Sequence, residues 1–348
     1  MNWKFWKTSY YAASSEASTA GYILRVLLGV LALYLIVAAA IGIWWSRTPA
    51  QFDVVENAAT YAAQDGVDGV VVGLTTTAAL HKISVTLLEK PGGYLSNDVF
   101  PPGLWLDNMP NWEFGVLTQI RDMARAMRID FSRSQSQSSE DKDLEVAEGQ
   151  YFFDNSSFWF PATESEYEVG NQLVRSYVSR LSNNSETDGQ FYARADNLQK
   201  WLEGVESRLG NLSQQLSASV GKRQLDLSLA GDPNAAQSTP TEDDSSVKTP
   251  WLELDDIFFE ARGQTWALIH LLRAVQVDFE DVLDDKNATV SLRQVVRELE
   301  GTQEAILSPM ILNGEGLGFL ANHSLVMASY ISRANAGITD LRTLLSRG

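Results

Sequence analysis

The feature that most constrains this chain is an uncharged apolar run over residues 26–46, close to the N-terminus. As an α-helix, this run would be about 31 Å long, which matches the hydrocarbon thickness of one bilayer. Tyr22 precedes the run, and Trp44 and Trp45 end it; such amphipathic rings favour the headgroup level. The sequence therefore predicts a transmembrane anchor over residues 23–46, with the lipid bilayer as its partner.

Two other structures are compatible with the same run. One is a buried core helix, although so long an uncharged stretch is rare in soluble folds. The other is a cleavable signal peptide, in which Ala38, Ala39 and Ala40 would form a small-residue cleavage site. The apolar run continues beyond these alanines through Ile41 to Trp45, and the segment before it is long for a signal peptide. We therefore favour an uncleaved anchor.

The charges that flank the run predict its orientation. Lys4, Lys7 and Arg25 precede it, whereas Arg47 is the one basic residue that follows closely. Lys and Arg near the ends of a membrane span set its topology, and long domains are translocated largely regardless of their charge. We expect residues 1–22 to form a cytoplasmic tail and the bulk of the chain to lie on the other side of the membrane.

Composition narrows the classes of function. The chain has 44 acidic and 27 basic residues, so its formal net charge of -17 argues against a nucleic-acid partner, which needs a basic face. The chain has no cysteine and three histidines, of which His81 and His270 fall inside predicted helices, where a hydrogen-bonded or surface histidine is commoner than a ligand or base. No phosphate-binding loop, zinc-protease or serine-hydrolase motif is present. We therefore expect no catalytic residue, no metal site and no cofactor, and hence no enzyme.

Apolar residues repeat with helical spacing through most of the remaining chain. Between residues 195 and 216 they follow a strict 3-4 alternation, and similar seams occur over 258–282 and 327–345. Such seams are typical of helices packed nearly parallel or antiparallel. The predicted fold class is all-α: a single N-terminal transmembrane helix, then an elongated helical bundle with coiled-coil-like heptad packing and long ordered loops. We expect the helix over 195–216 to form an antiparallel hairpin with the helix before it.

A polar segment interrupts the helical pattern. Residues 226–250 are rich in Asp, Ser, Thr and Pro, a composition that cannot bury enough apolar surface to offset the entropy of ordering. We predict a flexible linker or loop there. It separates a first helical region, residues 47–225, from a second, residues 251–348, which packs on the first.

One loop differs from the helical seams. Residues 91–112 read PGGYLSNDVFPPGLWLDNMPNW and contain four Pro and two Trp. Aromatic residues in such a loop need burial or a partner. Within residues 94–114 the predicted partner-binding residues are Tyr94, Asn97, Asp98, Trp105, Asp107, Asn108, Asn111, Trp112 and Glu113.

Three interpretations of this loop remain open. It is a binding face, or a plug that closes one end of the bundle, or a carbohydrate site, because carboxylates beside aromatic platforms are what a glycosidase requires. A pocket that gathers Asp98, Asp107 and Glu113 would favour the carbohydrate site. Carboxyls directed into the backbone of turns would favour a non-enzymatic role.

The segment PGGYLSNDVFPPGLWLDNMPNWEFG, residues 91–115, together with RDMARAMR, residues 121–128, resembles the domain of unknown function 2333 family. These are uncharacterised single-pass inner-membrane proteins of Gram-negative bacteria, and the resemblance covers most of the chain after the anchor. It implies an inner-membrane protein whose N-terminus is cytoplasmic and whose helical bundle is periplasmic. It implies no activity and no catalytic residues.

The function we favour from the sequence is a membrane-anchored periplasmic helical scaffold or adaptor of the cell envelope. Its partner would be an envelope protein, and a homo-oligomer is also compatible with the helical seams. The alternative is an envelope carbohydrate-binding module or a glycan-acting enzyme that uses the Trp- and Asp-rich loop over residues 94–114.

Overall fold

The structure is a computed structural model of the 348-residue chain. It describes residues 4–67, 69–134, 138–183, 189–224, 245–306, 308, 310–314 and 319–347. The helices of this described part are α1 (Lys4–Trp45), α2 (Val54–Gln64), α3 (Leu74–Glu89), α4 (Asn108–Ala126), α5 (Lys142–Tyr151), α6 (Thr163–Ser182), α7 (Ala195–Ser217), α8 (Leu254–Asp278), α9 (Glu280–Asp285), α10 (Thr289–Glu300) and α11 (His323–Ser346). The described part also contains two strands of three residues each, which pair in one small sheet. The predicted all-α class is confirmed.

Helix α1 runs without a break through the predicted tail into the predicted anchor. Its segment Gly21–Trp45 is long and apolar enough to cross a membrane, with a mean hydropathy of 2.8. The side chains of residues 22–37 are exposed, whereas Ala38 and Gly42 are buried and Trp45 packs against the main core. Helix α1 therefore projects from the other helices, α2–α11, which we call the body, and joins them through its last turns.

The centre of the body is a parallel pair of helices, α4 and α8. The side-chain amide of Asn111 donates to Oδ1 of Asp256 at 2.6 Å, and that of Gln119 donates to Oε1 of Gln264 at 3.3 Å. Both pairs are separated by 145 residues, which is the constant offset of a parallel register. The N-termini of the two helices therefore lie at the same end of the body.

Two glycines bring the backbones of α4 and α8 close together. A Cβ atom on Gly115 would lie 2.1 Å from the carbonyl oxygen of Glu260, and one on Gly263 would lie 2.0 Å from that of Trp112. Real Cβ atoms do not approach an oxygen so closely, so only glycine fits at either position. The tight crossing fixes the spacing of the pair around which the other helices pack.

Helix α7 packs along α11 in the antiparallel sense. The hydroxyls of Ser213 and Ser332 are 2.5 Å apart, and Thr339 donates to Glu206 at 2.7 Å. The predicted hairpin between α7 and the preceding helix is therefore wrong, because α6 packs on α5 and α3 instead. A heptad seam shows that a helix has a partner along its length and does not identify the partner.

The directions of the helices define two ends of the body. The anchor end holds the last turn of α1 and the N-termini of α4 and α8; there the Trp45 ring lies over Gly92, where a Cβ would be 2.8 Å from the indole. The far end holds the C-termini of α8 and α11, and Lys286 donates there to the carbonyl of Arg347 at 2.8 Å. With 25 residues, α8 extends about 37 Å between these ends.

A buried histidine holds the connector that follows α1. The backbone N–H of Phe52 donates to Nε2 of His270 at 3.1 Å, and the two rings stack with centroids 4.1 Å apart. Nδ1 of His270 lies 2.7 Å from the carbonyl oxygen of Trp266, so Nδ1 carries the proton and the ring is neutral. Burial lowers the pKa of His270 to about 4. This histidine is a hydrogen-bonded core residue rather than a ligand.

His81 has a similar environment. Its Nδ1 lies 2.5 Å from the hydroxyl of Tyr61. Burial, assisted by the nearby positive charge of Arg175, lowers the pKa of His81 to about 4. Burial therefore favours the neutral form of both core histidines at physiological pH.

Most of the predicted linker, residues 226–250, lies outside the described residues. Strand β1 (Lys222–Gln224) precedes the linker, and strand β2 (Ser245–Val247) lies inside its last part; the two strands pair in the antiparallel sense. The main apolar core contains side chains from both predicted helical regions. The domain boundaries themselves stay a prediction.

We expect Gly263→Ala to destabilise the body by about 1–3 kcal/mol, because the added methyl group collides with the carbonyl oxygen of Trp112. Gly204→Ala is the matched control, since nothing lies within 4 Å of a Cβ at that exposed position of α7. The control should stabilise the helix by up to about 1 kcal/mol. Chemical denaturation of the full chain in detergent measures both. Equal stability of the two variants would contradict the close crossing.

We also expect stability to fall below pH 6.5. The pKa of His81 and His270 is about 4 in the folded state, against 6.5 without the fold. The unfolded state therefore binds more protons between these values, so stability is complete above pH 6.5 and decreases toward pH 4. At pH 5 the loss is about 2 kcal/mol for each histidine. Denaturation midpoints measured against pH should show a shallower slope for His270→Gln; an unchanged slope would contradict the assignment.

Candidate functional site

The nine predicted partner-binding residues do not share one surface. The buried ones are Tyr94, Asn97, Trp112 and Glu113. The half-buried ones are Asp98, Asn108 and Asn111, and the exposed ones are Trp105 and Asp107. The buried residues contact other parts of the body, and a partner at the surface of the body cannot reach them.

A buried ion pair lies beneath the loop. The carboxylate of Glu113 pairs with the ammonium group of Lys90, and both side chains are 0% exposed. Lys90 ends α3 and also donates to the carbonyl of Gly93. Glu113 accepts from the backbone N–H of Leu95 at 2.9 Å and from that of Ser96 at 2.8 Å. The pair therefore closes the chain between α3 and α4 into a compact turn.

The protonation of this pair follows from its contacts. Burial raises the pKa of the Glu113 carboxyl, whereas Lys90, the Ser96 hydroxyl and the Leu95 amide lower it. Every polar contact described for the carboxyl is with a donor, which is the arrangement of an ionised carboxylate. Its role is to hold the loop, because its oxygens already have partners.

Tyr94 and Asn97 join this loop to the segment before α6. The hydroxyl of Tyr94 donates to the carbonyl of Asn155 at 2.8 Å, and burial raises the pKa of this phenol. The amide of Asn97 donates to the carbonyl of Ser157 at 2.9 Å and to Oε2 of Glu164 at 2.7 Å. Two loops that are distant in sequence thereby form one unit at the anchor end.

The two tryptophans of residues 94–114 have different environments: Trp105 lies in the loop and Trp112 in the first turns of α4. The Trp112 ring is fully buried, with its centroid 5.3 Å from that of Trp266 on α8. The Trp105 side chain is 53% exposed. Trp112 therefore packs inside the body, as the plug interpretation requires. Trp105 is the indole that a partner could reach.

The three carboxylates of the carbohydrate interpretation have separate roles. Glu113 is held in the buried ion pair. Asp107 is the N-cap of α4, and its Oδ1 accepts from the backbone N–H of Asn108 at 2.8 Å. Asp98 packs against Gly103, where a Cβ would lie 2.0 Å from Oδ2 of the carboxylate. Glu113 and Asp107 thus both accept hydrogen bonds from backbone N–H groups.

Sequence reasoning missed two parts of this region. Lys90 is one of them, because nothing in the spacing of a lysine and a later glutamate indicates that they pair. Phe158, Trp159 and Phe160 form an aromatic run that is visible in the sequence, but periodicity does not show that these rings are 45%, 70% and 89% exposed. The sequence shows that these residues are aromatic, and the fold shows that they lie at the surface.

A polar cleft of about 510 Å³ opens where α1 meets the body, with Arg47, Asn108 and Arg262 in its wall. Arg262 donates to the carbonyls of Gln303 at 2.9 Å and Glu304 at 3.0 Å, and burial lowers its pKa. The guanidinium thereby provides hydrogen-bond donors for backbone carbonyls in the turn after α10. Within the described ranges, no group of three or more His, Asp or Glu side chains is placed to hold a metal ion.

We expect Glu113→Gln to cost about 3–5 kcal/mol, since it leaves the Lys90 ammonium buried without a counter-charge. The double variant Lys90→Met/Glu113→Gln should be less destabilised than the sum of the two single variants. Denaturation of all four proteins closes the double-mutant cycle. Additive losses would mean that the pair does not interact, contrary to the geometry.

Comparisons with known proteins bear on the whole chain. The model of a family described as an uncharacterized protein conserved in bacteria matches residues 18–348, which include most of α1 and the entire body. No curated protein and no solved structure matches significantly. The resemblance that rests on residues 91–115 and 121–128 is thereby confirmed. The chain belongs to the domain of unknown function 2333 family of bacterial proteins.

Proposed function

We propose that this protein is a non-enzymatic scaffold or adaptor of the bacterial envelope, anchored in the inner membrane by α1. The N-terminus is cytoplasmic and the body is periplasmic in this proposal. The observation that carries it is the packed joint between the membrane helix and the body, because a scaffold needs its body held in a defined position and an enzyme on a tether does not.

The joint is formed by side chains close to the end of α1. A Cβ on Gly42 would lie 3.7 Å from a methyl of Leu106 and 3.8 Å from Pro102, so this face of α1 is in contact with the loop before α4. One helical turn later, Trp45 packs over Gly92. The connector is then fixed at Phe52. Contacts at three successive levels leave little freedom between anchor and body.

The shape of the body also supports a scaffold. The α7–α11 pair is held by polar contacts along its length, and the seam of α7 is buried from Leu198 to Leu216. We propose that this pair is coiled-coil-like and that the body is an elongated bundle extending from the membrane. An envelope protein, or a second copy of the chain, is the partner in this proposal.

The topology is tested with reporter fusions. We expect alkaline phosphatase fused after Gly348 to be active and green fluorescent protein at the same position to be dark, since only the former matures in the periplasm. The basic residues before α1 motivate this orientation. N-terminal sequencing of the membrane-bound protein serves as the control for cleavage, and a mature protein beginning near Ile41 would contradict the anchor.

The scaffold role is tested by crosslinking in native membranes, with the chain at its natural expression level. We expect one envelope protein, or a second copy, to be recovered in a fixed ratio to the chain. Recovery of monomer alone would contradict the scaffold. Release of soluble fragments from purified peptidoglycan by the full chain would contradict it as well and would favour the glycan-acting alternative that uses Trp105.

A further inference from the structure

The exposed apolar side chains of the body are unevenly distributed. Apart from Phe152, whose ring lies beneath Arg121 and Arg125, the exposed Phe, Trp, Leu and Met side chains of the described body all lie in the loops that precede α4, α6, α8 and α11. These four helices begin at the anchor end. At the far end the exposed large apolar side chains are valines, such as Val290, and Ile129, which is 37% exposed.

Four exposed rings from two of these loops lie in a continuous row, and we call these rings together with Leu104 and Trp105, from the loop of Phe100, the aromatic surface. Its residues are Phe100, Leu104, Trp105, Phe158, Trp159 and Phe160. The ring centroids of Phe100 and Phe158 are 6.4 Å apart, those of Phe158 and Trp159 are 6.1 Å apart, and those of Trp159 and Phe160 are 5.6 Å apart. None of the six carries a charge, and the hydrogen bonds of Asn97 fix the two loops to each other.

The loop that carries Phe100, Leu104 and Trp105 lies against the part of α1 that would be inside a bilayer. Pro102 and Leu106, from the same loop as Trp105, lie against Gly42. Gly42 precedes Trp45 by three residues, so it lies about 4.5 Å deeper along the helix than the ring that ends the apolar run. The loop therefore reaches below the level of Trp45.

We propose that the aromatic surface inserts into the interfacial layer of the bilayer beside α1, as a second membrane contact of the same protein. The occupant of this surface is the boundary between headgroups and acyl chains on the side of the membrane that holds the body. The inference rests on the proposed anchoring of α1 and adds a site that the anchor alone does not require.

Lipid is the partner that fits this surface. Trp and Phe rings are favoured at the membrane interface, and a contiguous exposed apolar patch of this kind is uncommon on a protein surface that faces water. Because the six residues are uncharged, insertion depends on burial of apolar area and not on attraction to anionic headgroups. The contact should therefore persist in zwitterionic lipid and at high salt.

The absence of cysteine from the chain permits a direct test with single labels. Leu104→Cys and Phe160→Cys place an environment-sensitive fluorophore on the aromatic surface of the full chain in phosphatidylcholine nanodiscs. Val290→Cys, at a side chain that is 75% exposed at the far end, is the matched control. Leu33→Cys, in the middle of the apolar run, reports on the anchor. The quenchers are nitroxide-labelled lipid and aqueous iodide.

We expect the fluorophores at positions 104 and 160 to show blue-shifted emission and to be quenched by the nitroxide lipid, at low and high salt alike. The fluorophore at position 290 should be quenched by iodide alone. If positions 104 and 160 behave like position 290 while position 33 is quenched by lipid, the docking inference is overturned and the anchor stands. If position 33 is not quenched by lipid, the anchor itself fails. Protection of positions 104 and 160 from both quenchers would mean that protein covers the surface, which also contradicts the inference.

Discussion

The buried ion pair between Lys90 and Glu113 is the contact on which the anchor end of the body depends. Two charges removed from water are stable only together, and each also requires hydrogen-bond partners, here the backbone of residues 93–96. The pair thereby fixes the end of α3 relative to the start of α4. The loop between these helices, which includes Trp105, is consequently held at both ends by a contact that cannot break without leaving a buried charge unpaired.

The joint with α1 and the aromatic surface are built on this fixed loop. Gly92 contacts the Trp45 ring, and Pro102 and Leu106 contact Gly42, so the residues that meet α1 belong to the loop that the ion pair closes. The hydrogen bonds of Asn97 extend the same unit to the segment before α6. The last turns of α1, the loop before α4 and the segment before α6 are thus joined into one assembly at one end of the body.

The sequence was sufficient for the features that depend on local pattern. The apolar run, the all-α class and the family were predicted correctly, because length, periodicity and a distinctive loop identify them. The partner of α7 was predicted incorrectly, since a heptad seam does not identify the helix that packs on it. Trp105 and Trp112 have the same chemistry and opposite environments, because Trp112 lies in α4 with its ring against Trp266, whereas Trp105 lies in the loop before α4.

The parallel pairing of α4 and α8 has a consequence in time. Asn111 and its partner Asp256 are 145 residues apart, and a ribosome adds about 5–20 residues each second. Synthesis of α8 therefore follows synthesis of α4 after on the order of ten seconds. Throughout this delay the face of α4 that packs on α8 in the folded protein stays uncovered, so the nascent chain exposes an apolar stripe until α8 has emerged.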